Sequence, residues 1–205
     1  MKALLIMIAL VVFPDKYTEQ MSKNIETVYT ASSIEELQKT VNTFQRIGAA
    51  EKTKWEPYYY ASFGYIMMAI KETDVVKKDG YLDFAKAALD QASTIKPNES
   101  EIVTLEGFIH TIDASIDPAS RGQQASTLAM QAYGKAMALN PQNPRAVALM
   151  AQLQFGTAAF FKQAQTQACE TAKKAIALFD AAPRDNGLAP IWGRQITEEL
   201  VKGCN

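Results

Sequence analysis

The chain has 205 residues, 48% of them hydrophobic, with 21 Lys and Arg against 22 Asp and Glu and a net charge of -1. No basic run exceeds the pairs Lys77-Lys78 and Lys173-Lys174, so nothing attracts a phosphate backbone and nucleic acid is excluded as a partner. His110 is the single histidine, which excludes a histidine-rich metal site and an H-E-x-x-H motif, and the glycine-rich phosphate and dinucleotide fingerprints are absent.

Residues 1 to 14 open with Lys2 and then eleven consecutive apolar residues, the length of a signal-peptide core and too short to span a bilayer. They read as a signal peptide or leader, and the chain as exported, periplasmic or envelope-associated, with no transmembrane span. The alternative is a first helix buried against the rest, because the positive region is only Lys2 and no small-x-small cleavage site precedes Pro14. Residues 15 to 205 then form a single domain.

Apolar residues recur at intervals of three and four throughout, and no segment alternates with period two for long, so the chain reads as all-α. Tyr17, Met21, Ile25 and Val28 make one stripe, and Ile34, Leu37, Val41 and Phe44 the next, started by a capping box of Ser33 and Glu36. A second pair is expected over about 55 to 72 and 75 to 95, with Asp74 as N-cap and Lys96-Pro97-Asn98 as the stop. The third pair begins near Glu101, breaks at Asp117-Pro118 with Pro118 in the first helical turn, and ends at Asn140-Pro141. In the fourth, Asn143 caps Pro144, and the second helix covers about 165 to 179. A last helix, about 190 to 202, carries Trp192, Ile196 and Leu200 on one face and caps the array.

The segments 88 to 107 and 132 to 151 align without a gap at an offset of 44 residues, each running from an alanine-rich helix end through a Pro turn into a new helix. One such unit cannot bury its apolar face alone, so units must stack into a solenoid. Gly64, Ala85, Leu89, Ala92 and Pro97 fit one unit, Gly107, Ala129, Tyr133, Ala136 and Pro141 the next, and Ala151, Ala168, Ala172 and Ala175 a third. On these residues the chain resembles the tetratricopeptide-repeat family over about 54 to 183, with units of about 44 residues in place of roughly 34. The layout also resembles small exported bacterial members of unassigned activity. The resemblance implies a right-handed helical-repeat solenoid of antiparallel pairs with a C-terminal capping helix. Its function would be that of a non-catalytic scaffold for a protein or peptide partner, without cofactor or metal.

Ligands of this family lie in the concave groove lined by the first helix of each unit. With Gly64, Gly107 and Ala151 taken as equivalent, the implied groove positions are Tyr58, Tyr65 and Met68, then Glu101, Thr104, Phe108 and Thr111, then Arg145, Gln152 and Phe155. Only Arg145 is a cation there, so capture of an acidic peptide end is not supported. The aromatic run Trp55, Tyr58, Tyr59, Tyr60, Phe63 and Tyr65 cannot share one helical face. It reads either as an aromatic core with a few tyrosines at its edge, or as the lining of a small-molecule or lipid carrier, or an enzyme, converging on His110. Cys169 and Cys204, the only cysteines, lie 35 residues apart. A capping helix that folds back would bring them together, and a disulfide stands open against two free thiols.

Overall fold

The computed structural model describes residues 15 to 183 and 187 to 204; the leader expected at residues 1 to 14 lies outside them. The described residues are all helical: α1 (Lys16–Thr30), α2 (Ile34–Ala50), α3 (Glu56–Lys71), α4 (Val75–Ile95), α5 (Ser100–Ile116), α6 (Gly122–Leu139), α7 (Pro144–Phe160), α8 (Thr166–Ala181) and α9 (Arg194–Lys202). The starts of α3, α5 and α7 are 44 residues apart, which is the period of the sequence repeat.

Local chemistry sets most of the boundaries. The Asp15, Ser33, Asp74 and Asn143 side chains accept from backbone N–H groups of the following turns, at 2.7, 3.2, 3.0 and 3.0 Å to the nearest of them. Glu36 also reaches back to the Ser32 N–H (3.0 Å), so both halves of a capping arrangement are made. The start of α6 departs from expectation. Pro118 lies in a turn, and α6 begins only at Gly122, because the Asp117 carboxylate accepts from the Ser120 N–H (3.1 Å) and bends the chain for one more turn before the helix starts.

Each pair packs antiparallel on itself, and the pairs stack. Among the described residues, α3 packs against α1 and α5, and α5 against α7, whereas α2, α4, α6 and α8 touch first helices but not one another. First helices therefore form an inner row and second helices a more widely spaced outer row. A helix in the middle of such an array has neighbours on nearly every side, which explains why α3 is apolar almost all round, with Tyr59, Tyr60, Ala61, Ile66, Met68 and Ala69 fully buried.

Small residues set the closest approaches. A Cβ on Gly107 would lie 2.4 Å from the Tyr133 ring of α6, and one on Gly64 would lie 2.4 Å from Val41 of α2. Units are further tied by a buried polar knot at the start of α7. The Asn143 amide donates to the Ser100 hydroxyl (2.9 Å) and the Thr104 hydroxyl (3.3 Å), while Ser100 donates to the Ala136 carbonyl (2.9 Å). Each of these polar groups is buried and satisfied.

The C-terminal helix is shorter than expected. Trp192 precedes it, and α9 starts after Gly193, whose φ of 101° a side chain rarely adopts and whose Cβ position faces Phe179 at 3.2 Å. The expected apolar face is accordingly broken: Ile196 is exposed, and Thr197 is the buried contact of α9.

Candidate functional site

The inner row forms the concave surface where the tetratricopeptide likeness places a ligand, and this chain fills that surface with its own C-terminal segment. The Leu188 carbonyl accepts from the Tyr60 hydroxyl (2.7 Å), and the Ile191 N–H donates to the Tyr29 hydroxyl (3.4 Å). The Trp192 indole lies between Phe63 (centroids 5.2 Å apart) and Phe108 (5.8 Å), and its N–H donates to the Tyr59 hydroxyl (3.1 Å). Aromatic pairs of this kind contribute about 0.5–1.5 kcal/mol each beyond the area they bury.

Behind Trp192 lies a buried ion pair. Tyr59 donates on to Glu101 (3.4 Å), and Glu101 receives Arg145 through both Nε (3.0 and 2.9 Å) and Nη2 (2.7 Å). The two residues are 44 positions apart, so one repeat places the acid and the next places the base in register above it. Burial disfavours the guanidinium charge, but the hydrogen bonds and charge of Glu101 outweigh it and hold Arg145 above its ordinary value. Burial pushes the Tyr59 and Tyr60 phenols well up, so both stay protonated donors.

Of the expected groove positions, Glu101, Phe108 and Arg145 are in this cluster. Tyr58 and Tyr65 are not: Tyr58 packs over Gly48 of α2, and Tyr65 accepts from Gln45 of α2 (3.2 Å) and lies against the Phe84 ring of α4 at a tilt. Met68 is core. Thr104 belongs to the buried knot, and Thr111 bonds the Tyr133 hydroxyl (2.7 Å) inside the α5–α6 pair. Gln152 and Phe155 are half-buried on α7. A slip of register accounts for part of the error in the first unit. Gly64 and Gly107 are 43 residues apart while the helices repeat at 44, and a slip of one residue rotates a helical face by about 100°. The residues that reach the groove from α3 are Tyr59, Tyr60 and Phe63; the 44-residue offset from Thr104 indicates Tyr60 alone, and Tyr59 and Phe63 reach it through their contacts with Trp192.

His110 does not converge on the aromatic cluster. It lies two residues from Phe108, about 200° around α5. It is half-buried, and burial holds its imidazole below the ordinary value, with Glu106 and Asp113 opposing and Lys86 reinforcing that shift. Among the described residues, no group of three His, Cys, Asp or Glu is arranged to hold a metal, and no helix is long and apolar enough to cross a membrane.

Open space lies instead on the outer side. A depression of about 360 Å³ sits between α6 and α8 with α7 as its floor, lined by Met137, Val147, Met150 and Gln154. Glu170, Thr171 and Lys174 of α8 form its rim. A second, of about 380 Å³, is lined by polar residues of the α6 start and by Leu128.

The chain end is pinned covalently. Cys169 of α8 and Cys204 after α9 form a disulfide, with Cα atoms 5.6 Å apart, which settles the alternative that the cysteine spacing left open. The bridge ties α9, and through it the segment that carries Trp192, to the last repeat.

Fold and site together define a helical-repeat protein with a tetratricopeptide-like fold whose concave face is occupied by its own chain. No protein-family model matches the sequence, and no curated protein matches it. Among solved structures, the chain is similar to the HusA haemophore from Porphyromonas gingivalis, with 26% identity, a TM-score of 0.82 and 92% of each chain covered. It is also similar to a thermophilic tetratricopeptide-repeat protein of Thermus thermophilus, with 16% identity, a TM-score of 0.51, and 84% of this chain and 86% of that one covered. The second likeness is one of fold.

Proposed function

We propose that this chain is an exported, non-catalytic carrier of a planar apolar small molecule of the tetrapyrrole class. The observation that carries the reading is the likeness to a haemophore over 92% of both chains, well beyond what a shared repeat type gives with the Thermus protein. The filled groove points the same way, since the surface that would take a peptide already holds Leu188 to Trp192. Export accords with the disulfide, because such bonds persist mainly in oxidising compartments. The test is an absorbance titration of the disulfide-intact protein with haemin. A shifted Soret band that saturates at a fixed stoichiometry is expected, and a spectrum that stays that of free haemin at all ratios overturns the reading.

The exposed Val76, Phe160 and Phe161, at turns that join the two helices of a pair, favour a second reading. In it that edge docks a partner protein, as a scaffold would. A single cross-linked partner recovered from the native envelope, and lost on Phe160→Ser with Phe161→Ser, would support it.

A further inference from the structure

We infer that the tetrapyrrole sits on the outer side of the solenoid, in the depression between α6 and α8, and not in the aromatic groove. This rests on the carrier reading above. The volume of about 360 Å³ is within the range of ligand sites, about 300–1,000 Å³. Val147 and Met150 supply an apolar floor and Met137 a wall, and polarizable thioethers make favourable contacts with flat π systems.

Two polar residues belong to the same lining. The Gln154 side-chain oxygen is buried and has no hydrogen-bond partner among the described residues, a condition that a donor on a ligand, or on a water it traps, would relieve. Lys174, on the rim, is exposed and forms no ion pair among the described residues, so its ammonium is free to meet a ligand carboxylate.

The repeat supplies an internal control. One period of 44 residues earlier, the position of Met137 is held by Ser93, that of Met150 by Glu106 and that of Gln154 by His110. Of the apolar lining, the equivalent cleft between α4 and α6 keeps only Val103, at the position of Val147, whereas the later one has Met137, Val147 and Met150 beneath a rim that carries both Lys174 and Glu170. The aromatic groove, by contrast, has its stacking surfaces and its Tyr59 hydroxyl already engaged by Trp192.

Haemin titrations of the parent and three variants test the placement, each variant checked for parental helicity and melting. Thr171→Trp fills the depression from its rim and is expected to weaken binding by about tenfold or more, the change that 1.4 kcal/mol produces. Lys174→Glu leaves the core untouched and is expected to weaken it by about two- to fivefold, the scale of one exposed charge pair. Trp192→Leu, in the groove, is expected to change it less than either. Parental affinity in both α8 variants, or a greater loss in Trp192→Leu, overturns the placement and leaves the carrier reading standing. No saturable binding by the parent overturns the carrier reading, and the placement with it.

Discussion

Two glycines in helix interiors should respond to the same substitution with opposite signs. Gly134 faces open space, with no atom within 4 Å of a Cβ placed on it, whereas a Cβ on Gly107 would meet three atoms of the Tyr133 ring at 2.4, 2.6 and 3.0 Å. Alanine at 134 recovers the helical preference that glycine forgoes, about 0.5–1 kcal/mol. At 107 the same gain is set against overpacking, typically about 1–3 kcal/mol. The ring has little room to yield, because Tyr133 is fully buried and its hydroxyl is held by Thr111 at 2.7 Å. Losing that bond adds about 1 kcal/mol, so the net effect at 107 is a loss of about 1–3 kcal/mol. For a chain of this size each kcal/mol moves the melting temperature by about 2–4 °C. Circular-dichroism melts under non-reducing conditions should place Gly134→Ala above the parent and Gly107→Ala below it. A Gly107→Ala protein that melts with or above the parent would refute the close contact of α5 with α6.

Arg145→Met should cost about 3–5 kcal/mol, since it strands Glu101 as a buried charge, and adding Glu101→Gln should restore much of that loss in the same melts. Cys169→Ser with Cys204→Ser should lower stability by roughly 3–4 kcal/mol in the chain-entropy view of a loop this long, and limited proteolysis should then cut first near the C-terminal segment. If the parent and the cysteine-free protein are cut at the same site and rate, the bridge does not hold that segment. His110 is held below its ordinary value by burial, so the unfolded chain binds its proton more readily. Stability is therefore full above the ordinary histidine value of about 6.5 and falls as pH drops through and below it, and His110→Gln should flatten the urea-midpoint profile between about pH 5 and 7.

What could be read from the sequence was what is decided within a few residues or by the repeat. The Asp74 and Asn143 caps, and α4 from Val75 to Ile95, follow from side chains that bond the adjacent turn. The pairing of units follows from small residues that recur at the repeat spacing. The start of α9 was not legible, because it depends on contacts of Trp192 and Ile191 with residues 133 and 162 positions away. No local pattern distinguishes a tryptophan that opens a helix from one that leaves it to stack between two distant phenylalanines. Glu101 and Arg145 were named as groove residues at the 44-residue spacing, but spacing alone does not say that the two side chains meet, and the replacement of Tyr58 and Tyr65 by Tyr59, Tyr60 and Phe63 depends on contacts with Leu188 and Trp192 far along the chain.

A helical solenoid is ordinarily open at both ends: each unit touches only its neighbours, and units can be lost, gained or melted one at a time. The hydrogen bonds from Tyr60 to the Leu188 carbonyl and from the Ile191 N–H to Tyr29 join the last part of this chain to its first two pairs, and the disulfide anchors that tie. The count of repeats is thereby fixed, since inserting or deleting one 44-residue unit would carry Tyr29 and Tyr60 out of reach of the segment that meets them. The array gains the cooperativity of a closed body, with denaturation expected as a single transition and not as fraying from one end.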